Sequence, residues 1–186
     1  MNHAMNRSPV QVRIGGEAGQ GVILAGVMLA QAAIGDGRKV AQSARYGAAV
    51  RGGEATADLV ISDTPIDYPH VETPDILVVF SQQTYDKFAP AGTEDTKVFY
   101  DPFFVTPSKT AGGSLWEISA TEMAIEKFGK STSSNLIVLG FIAQLTEVVS
   151  EESLLAAIEQ NLPSRHRAAG LEALAMGKKA AVEAGA

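Results

Sequence analysis

Apolar and polar positions change period sharply near the start of the chain. Val10, Val12 and Ile14 alternate with Gln11 and Arg13, the two-residue period of a strand. From Val22 to Ile34 the chain carries Val, Ile, Leu, Met and Ala on every side, which predicts a helix packed on more than one face. The bend between them, Ile14-Gly15-Gly16-Glu17-Ala18-Gly19-Gln20-Gly21-Val22, has neither period. Further on, Arg38–Ser43 reads as a short strand, and Glu54–Ile61 as a strand with Ala55, Ala57, Leu59 and Ile61 on one face. Ile76–Phe80 is an unbroken apolar run, as in a strand covered on both faces. Ser81 caps a short helix to Phe88, and Lys97–Tyr100 forms another strand. Helices follow to the end: one opened by a capping box at Ser119 and Glu122 and stopped by Gly129, a buried one over Leu136–Leu145, one capped by Ser150, and one after Pro163. Strands alternating with helices, then a helical end, predict an α/β fold. The expected form is Rossmann-like, a three-layer α/β/α sandwich with a mainly parallel sheet and a helical C-terminal part.

Two stretches fit no period and are the candidate sites. In the first, Gly16, Gly19 and Gly21 suit a tight turn that brings backbone close to a neighbour, and the helix that follows offers free N–H groups to a phosphate or carboxylate. The same glycines also suit close packing with no ligand. Gly16 and Gly21 have P-loop spacing, but Val22 and Ile23 replace its lysine and hydroxyl, which argues against ATP hydrolysis by this loop. The order Gly-x-x-Gly-x-Gly is not the dinucleotide fingerprint, and the acid that follows, Asp36, precedes the second strand and is badly placed for a ribose. Gly35-Asp36-Gly37 reads as a polar turn ending the first helix. The second stretch, Ala44–Gly53, sets Arg45, Tyr46 and Arg51 among Gly47, Gly52 and Gly53. It reads either as an anion grip or as a surface loop with ordinary ion pairs.

Length and composition narrow the classes. With 186 residues, one domain over 10–186 is expected, after a loose polar tail at 1–9. The net charge of −6 argues against a nucleic-acid or anionic-membrane partner. No signal-peptide core or membrane-spanning run is apparent, which predicts a cytoplasmic protein. The absence of cysteine excludes disulfides, thiolate zinc sites, a cysteine nucleophile and cysteine-ligated iron–sulfur clusters on this chain. His3, His70 and His166 lack metal-ligand spacing, so no metal site is expected.

Together the two stretches carry a resemblance. Gly16-Glu-Ala-Gly-Gln-Gly-Val22, Tyr46-Gly-x-x-x-Arg51-Gly-Gly53, Ala57–Asp63 and Tyr68-Pro69 resemble the gamma subunit of 2-oxoacid:ferredoxin oxidoreductases. The similarity extends through Pro74-Asp75, Ser81-Gln82 and Asn135–Gly140, and the tyrosine–arginine loop is most similar to the 2-oxoglutarate branch. Ala18 stands where the family more often has glycine, and Ala48-Ala49-Val50 where it often has Pro-Glu-Ala. The resemblance implies one part of an enzyme that decarboxylates a 2-oxoacid, reduces ferredoxin and makes an acyl-coenzyme A. Thiamine diphosphate, magnesium and the clusters then belong to alpha and beta partners, with a delta subunit a further candidate. This chain holds no catalytic residue or cofactor of its own and shares in binding coenzyme A as substrate. The residues implied in that contact are Gly16, Gly19, Gln20, Gly21, Tyr46, Gly47, Arg51, Gly52 and Gly53. Two competing readings are a stand-alone Rossmann-like dinucleotide-binding protein and a purely structural subunit.

Overall fold

The computed structural model describes residues 8–47, 52–108 and 112–185. Its strands are β1 (Val10–Glu17), β2 (Lys39–Tyr46), β3 (Glu54–Ser62), β4 (Ile76–Val79), β5 (Lys97–Tyr100) and β6 (Ser114–Glu117). They form one sheet in the order β2-β3-β1-β4-β5-β6. The pairs β1–β4, β4–β5 and β5–β6 are parallel. β3 runs antiparallel to both β1 and β2. The sheet is therefore mixed but mostly parallel, as expected, with an antiparallel hairpin on one flank.

Helices α1 (Val22–Gly35), α2 (Gln82–Phe88), α3 (Ala120–Phe128), α4 (Ser134–Thr146), α5 (Glu151–Asn161) and α6 (Ser164–Glu183) cover the two faces unequally. Ile76 and Val78 of β4 point into a large core with Ile14, Met28, Phe99, Ile137 and Leu174. Leu77 and Val79 point the other way, into a small core with Tyr85, Val98 and Val105. α2 is thus the thin third layer, and α1 and α3–α6 make the thick one. α4 is buried around nearly its whole circumference, which explains its unbroken apolar sequence. The backbones of α4 and α6 touch: a Cβ at Gly140 would collide with the Leu174 carbonyl, and one at Gly177 with the Ile137 carbonyl.

Four local readings change. The second strand runs on through Tyr46, because pairing with β3 and an ion pair from Arg45 to Asp58 (3.3 Å) hold it beyond the apolar pattern. β6 was not foreseen; three of its four residues are exposed, so only its pairing with β5 marks it as a strand. The capping box at Ser119 does not form. The buried carboxylate of Asp101 instead accepts from the Thr121 N–H (2.8 Å), drawing the start of α3 onto the end of β5. β3 also differs, being buried on both faces, with Arg13 and Arg45 lying against the second face at Asp58. On its second face Asp58 takes a two-point bond from Arg13 (2.7 and 2.8 Å), whose guanidinium stacks on Phe88 at 4.7 Å.

Asp36 ends α1 and holds the start of α5, accepting from the Ser150 N–H (2.7 Å) and hydroxyl. Burial raises its pKa, but the bonds from Ser150 and Ser153 and the charge of Arg38 outweigh that and hold it below 3.8. A lowered folded pKa contributes stability above the unfolded value and loses it as pH falls through the folded one. In urea melts, Asp36→Asn is therefore expected to be destabilised by a constant amount above about pH 5, the difference shrinking as pH falls through the carboxylate range. For the helix pair, Gly177→Ala is expected to cost about 1–3 kcal/mol by overpacking, lowering the melting temperature by roughly 3–10 °C in a thermal scan.

Candidate functional site

β1 and β4 are parallel neighbours whose following helices leave to opposite faces, α1 to the thick layer and α2 to the thin one. Such a divergence opens a crevice at the carboxyl ends of the two strands. The first glycine-rich stretch fills it. Gly16 is the last inward-facing residue of β1; a Cβ there would stand 2.9 Å from both Phe80 Cβ and Val22 Cγ2, so only glycine lets strand and helix meet. Gly19 and Gly21 have φ of 103° and 76°, left-handed values that reverse the chain into α1. Space beside Gly19 is open, whereas a Cβ at Gly21 would run into Asn135.

Gln20 holds this turn. Its Oε1 accepts from the Glu17 N–H (2.7 Å), and its Nε2 donates to the Phe80 carbonyl (2.8 Å) at the end of β4. On the far side, the Asn135 amide donates to the Gly21 carbonyl (3.3 Å), bringing in the amino end of α4. Gly21 caps α1 without a side chain, and no acid lies in the first turn. The first-turn N–H groups are thus left without a side-chain acceptor, and the helix dipole adds a partial positive charge.

The described ends of the second stretch, Ala44–Gly47 and Gly52–Gly53, lie where β2 ends and β3 begins and reach the same edge. The Ala18 N–H donates to the Gly53 carbonyl (2.9 Å), and Glu17 lies opposite Glu54 in the β1–β3 register. Gly52 has φ 67° with open space beside it, and Gly47 donates to the Glu54 carbonyl (2.6 Å) to close the hairpin. Tyr46 is 69% exposed at the end of β2, two strands from β1 and so roughly 10 Å away across the sheet. Gly16, Gly19, Gln20, Gly21, Gly52 and Gly53 are therefore brought together, while Tyr46 and Gly47 flank them. Arg51, with residues 48–50, lies outside the described residues. Lys87 is a described cation of this edge, and it is paired with Glu54 at 2.6 and 2.9 Å.

The Asp36 carboxylate, engaged with Ser150, is unavailable to a ribose or to a thiamine-bound metal. Among the described residues no group of three metal-ligating side chains comes together, and no helix is long and apolar enough to cross a membrane.

The sequence model of the pyruvate ferredoxin/flavodoxin oxidoreductase family matches residues 11–184. The chain belongs to this family. It is 37% identical to the 2-oxoglutarate synthase subunit KorC of Methanocaldococcus jannaschii, over 98% of this chain and 100% of that one. Among solved structures, a keto/oxoacid ferredoxin oxidoreductase gamma subunit from Geobacter sulfurreducens is similar with a TM-score of 0.82 at 30% identity, covering 94% of this chain and 99% of that one. The 2-oxoglutarate:ferredoxin oxidoreductase of Magnetococcus marinus, solved with 2-oxoglutarate, coenzyme A and succinyl-CoA bound, shares the fold. Its TM-score is 0.87 at 23% identity, over 96% of this chain and 32% of that one.

In this oxidoreductase subunit, two site-forming groups were not among the residues expected. Asn135 had a signal, being a polar side chain at the head of an apolar run. The Phe80 carbonyl had none, since a backbone acceptor leaves no trace in side-chain pattern. Gln20 matters here as the brace of the turn, so it is a positioning residue. Gln20→Leu leaves the Glu17 N–H and the Phe80 carbonyl without their partner, at an expected cost of about 1–3 kcal/mol. Urea melts and faster exchange of the Glu17 amide hydrogen check it; an unchanged exchange rate means another group holds the turn.

Proposed function

We propose that this chain is the gamma subunit of a cytoplasmic 2-oxoglutarate:ferredoxin oxidoreductase, and that its two glycine-rich loops hold phosphate of coenzyme A. The observation that carries the site is the Ala18–Gly53 hydrogen bond, which puts both loops on one edge of the sheet. Family membership and the 37% identity to a 2-oxoglutarate synthase subunit support the choice of complex and of oxoacid.

The chemistry divides between chains on this reading. Thiamine diphosphate with magnesium, and the iron–sulfur clusters, sit on alpha and beta partners and supply decarboxylation and electron transfer to ferredoxin. The present chain has no cysteine to ligate a cluster, and its Gly-Asp-Gly triplet is committed to holding α5. Its own work is to bind and orient. N–H groups at the start of α1, which Gly21 leaves without a side-chain cap, and open backbone at Gly19 and Gly52 accept an anion at close range. Glu17 and Glu54 stand at the same edge, so an anion there needs compensating charge beyond the N–H groups. Lys87 neutralises Glu54, and Arg51 supplies the two-point guanidinium grip that a lysine cannot reproduce.

The test is kinetic, on the complex reconstituted with its partner subunits. Arg51→Lys is expected to raise the coenzyme A requirement about tenfold to a hundredfold, the loss of one charge-assisted contact of roughly 1.5–3 kcal/mol. The 2-oxoglutarate dependence stays nearly unchanged, because the partner subunit binds the oxoacid. An unaltered coenzyme A dependence makes the loops scaffolding and the chain a structural subunit.

A further inference from the structure

Beyond Asn135 a cleft of about 550 Å³ opens between the first turn of α1, the α3–α4 connection and the amino end of α6. This lies in the range of small-molecule sites, about 300–1,000 Å³. Leu24, Phe128, Leu136 and Leu162 give it an apolar lining, and Leu24 is 37% exposed there. Lys130, Arg165 and His166 line it from its exposed sides. Thr132, Ser133 and Asn135 add neutral hydrogen-bonding groups.

The charges are what the fold does not explain. Most described lysines and arginines sit in ion pairs, on a chain with carboxylates in excess. Among the described residues Lys130 and Arg165 have no carboxylate partner; the Arg165 Nε instead donates to His166 Nε2 at 3.0 Å. Arg165, His166 and Arg167 also crowd the first turn of α6, where the helix dipole opposes positive charge. Unpaired cations in an unfavourable place, beside a cleft with an apolar lining, are suited to a ligand that is anionic at one end and apolar at the other. A small dicarboxylate would leave the leucines wet.

We propose that this cleft binds a phosphorylated nucleoside, with phosphate on Lys130 and Arg165 and the base against Leu24, Leu136 and Leu162. Arginine–phosphate contacts favour two-point geometry, and a flat base covers apolar surface that a bare phosphate does not. The ligand is either a free nucleotide or the nucleotide end of coenzyme A. The proposal does not depend on the glycine loops, since none of its charged residues belongs to them.

Calorimetry on the full chain and on the assembled complex tests it with adenosine 3′,5′-bisphosphate, coenzyme A and ATP. Binding below about 1 mM is expected for at least one of them. Lys130→Gln/Arg165→Gln should weaken it tenfold or more, with Lys39→Gln on β2 as an unpaired control cation that changes nothing. Preference for the bisphosphate and coenzyme A assigns the cleft to the nucleotide end of coenzyme A, and preference for ATP to a free nucleotide. Arg51→Lys leaves bisphosphate binding intact if the cleft is a site in its own right. The proposal is overturned if no nucleotide binds, if the double variant binds as the wild type does, or if that variant loses only its partner subunits, which makes the patch a subunit contact.

Discussion

Between the carboxyl ends of β1 and β4 there is room for backbone and one carboxamide. A Cβ at Gly16 would press on Phe80 and Val22, so the strand cannot brace the turn with a side chain of its own. Gln20 does it from three residues on, bonding the end of β1 with its oxygen and the end of β4 with its nitrogen. With that brace in place the chain reverses through two left-handed glycines, and α1 starts with no side-chain cap. The position of Gly53, just before β3, follows, because the Ala18 N–H that meets it is part of the same turn. A structural reading and a ligand-binding reading of these glycines are therefore not rivals at each position. Gly16 and Gly21 are needed for packing, and Gly19 and Gly52 leave open space.

Charge is distributed with the same economy. The one strongly buried acid of the hairpin, Asp58, is met by Arg13 and Arg45 from the strands on either side. That arrangement ties β2, β3 and β1 together, and removing one partner would strand the rest at a cost larger than the pair contributes. Arg45, read as a possible part of an anion grip, is thus largely a structural cation. At the rim, Lys87 answers Glu54. Among the described residues Lys130, Arg165 and Arg167 have no carboxylate partner, and Lys130 and Arg165 line one cleft beside the start of α6.

The thick layer shows how far local pattern carries. α1 and α4 were legible as multiply buried helices because apolar residues occur on all sides, and α5 because Ser150 and the glutamates after it mark its start. The capping box at Ser119 was legible in the same way and did not form. A carboxylate at the end of β5, Asp101, caps the Thr121 N–H of the same first turn instead. Local capping rules rank the groups nearby in sequence and are blind to a competitor twenty residues away that the sheet brings alongside. β6 was missed for a related reason: an edge strand with exposed side chains is defined by hydrogen bonds to β5, and those carry no hydrophobic period.

The sequence by itself determined the alternation of strands and helices, the exclusion of cysteine chemistry, and which two stretches were unusual, together with the family resemblance they carry. These follow from side-chain type and spacing, which are local. Tertiary structure decided that the two stretches share an edge, that β3 runs antiparallel to β1, and that Asp36 holds α5 instead of a ligand. It also decided that Gln20 braces the turn through Phe80, sixty residues away. Each of these rests on a backbone N–H or carbonyl finding its partner across the fold. Every residue but proline offers both groups, so their pairing is written in the path of the chain and not in the identity of the residues.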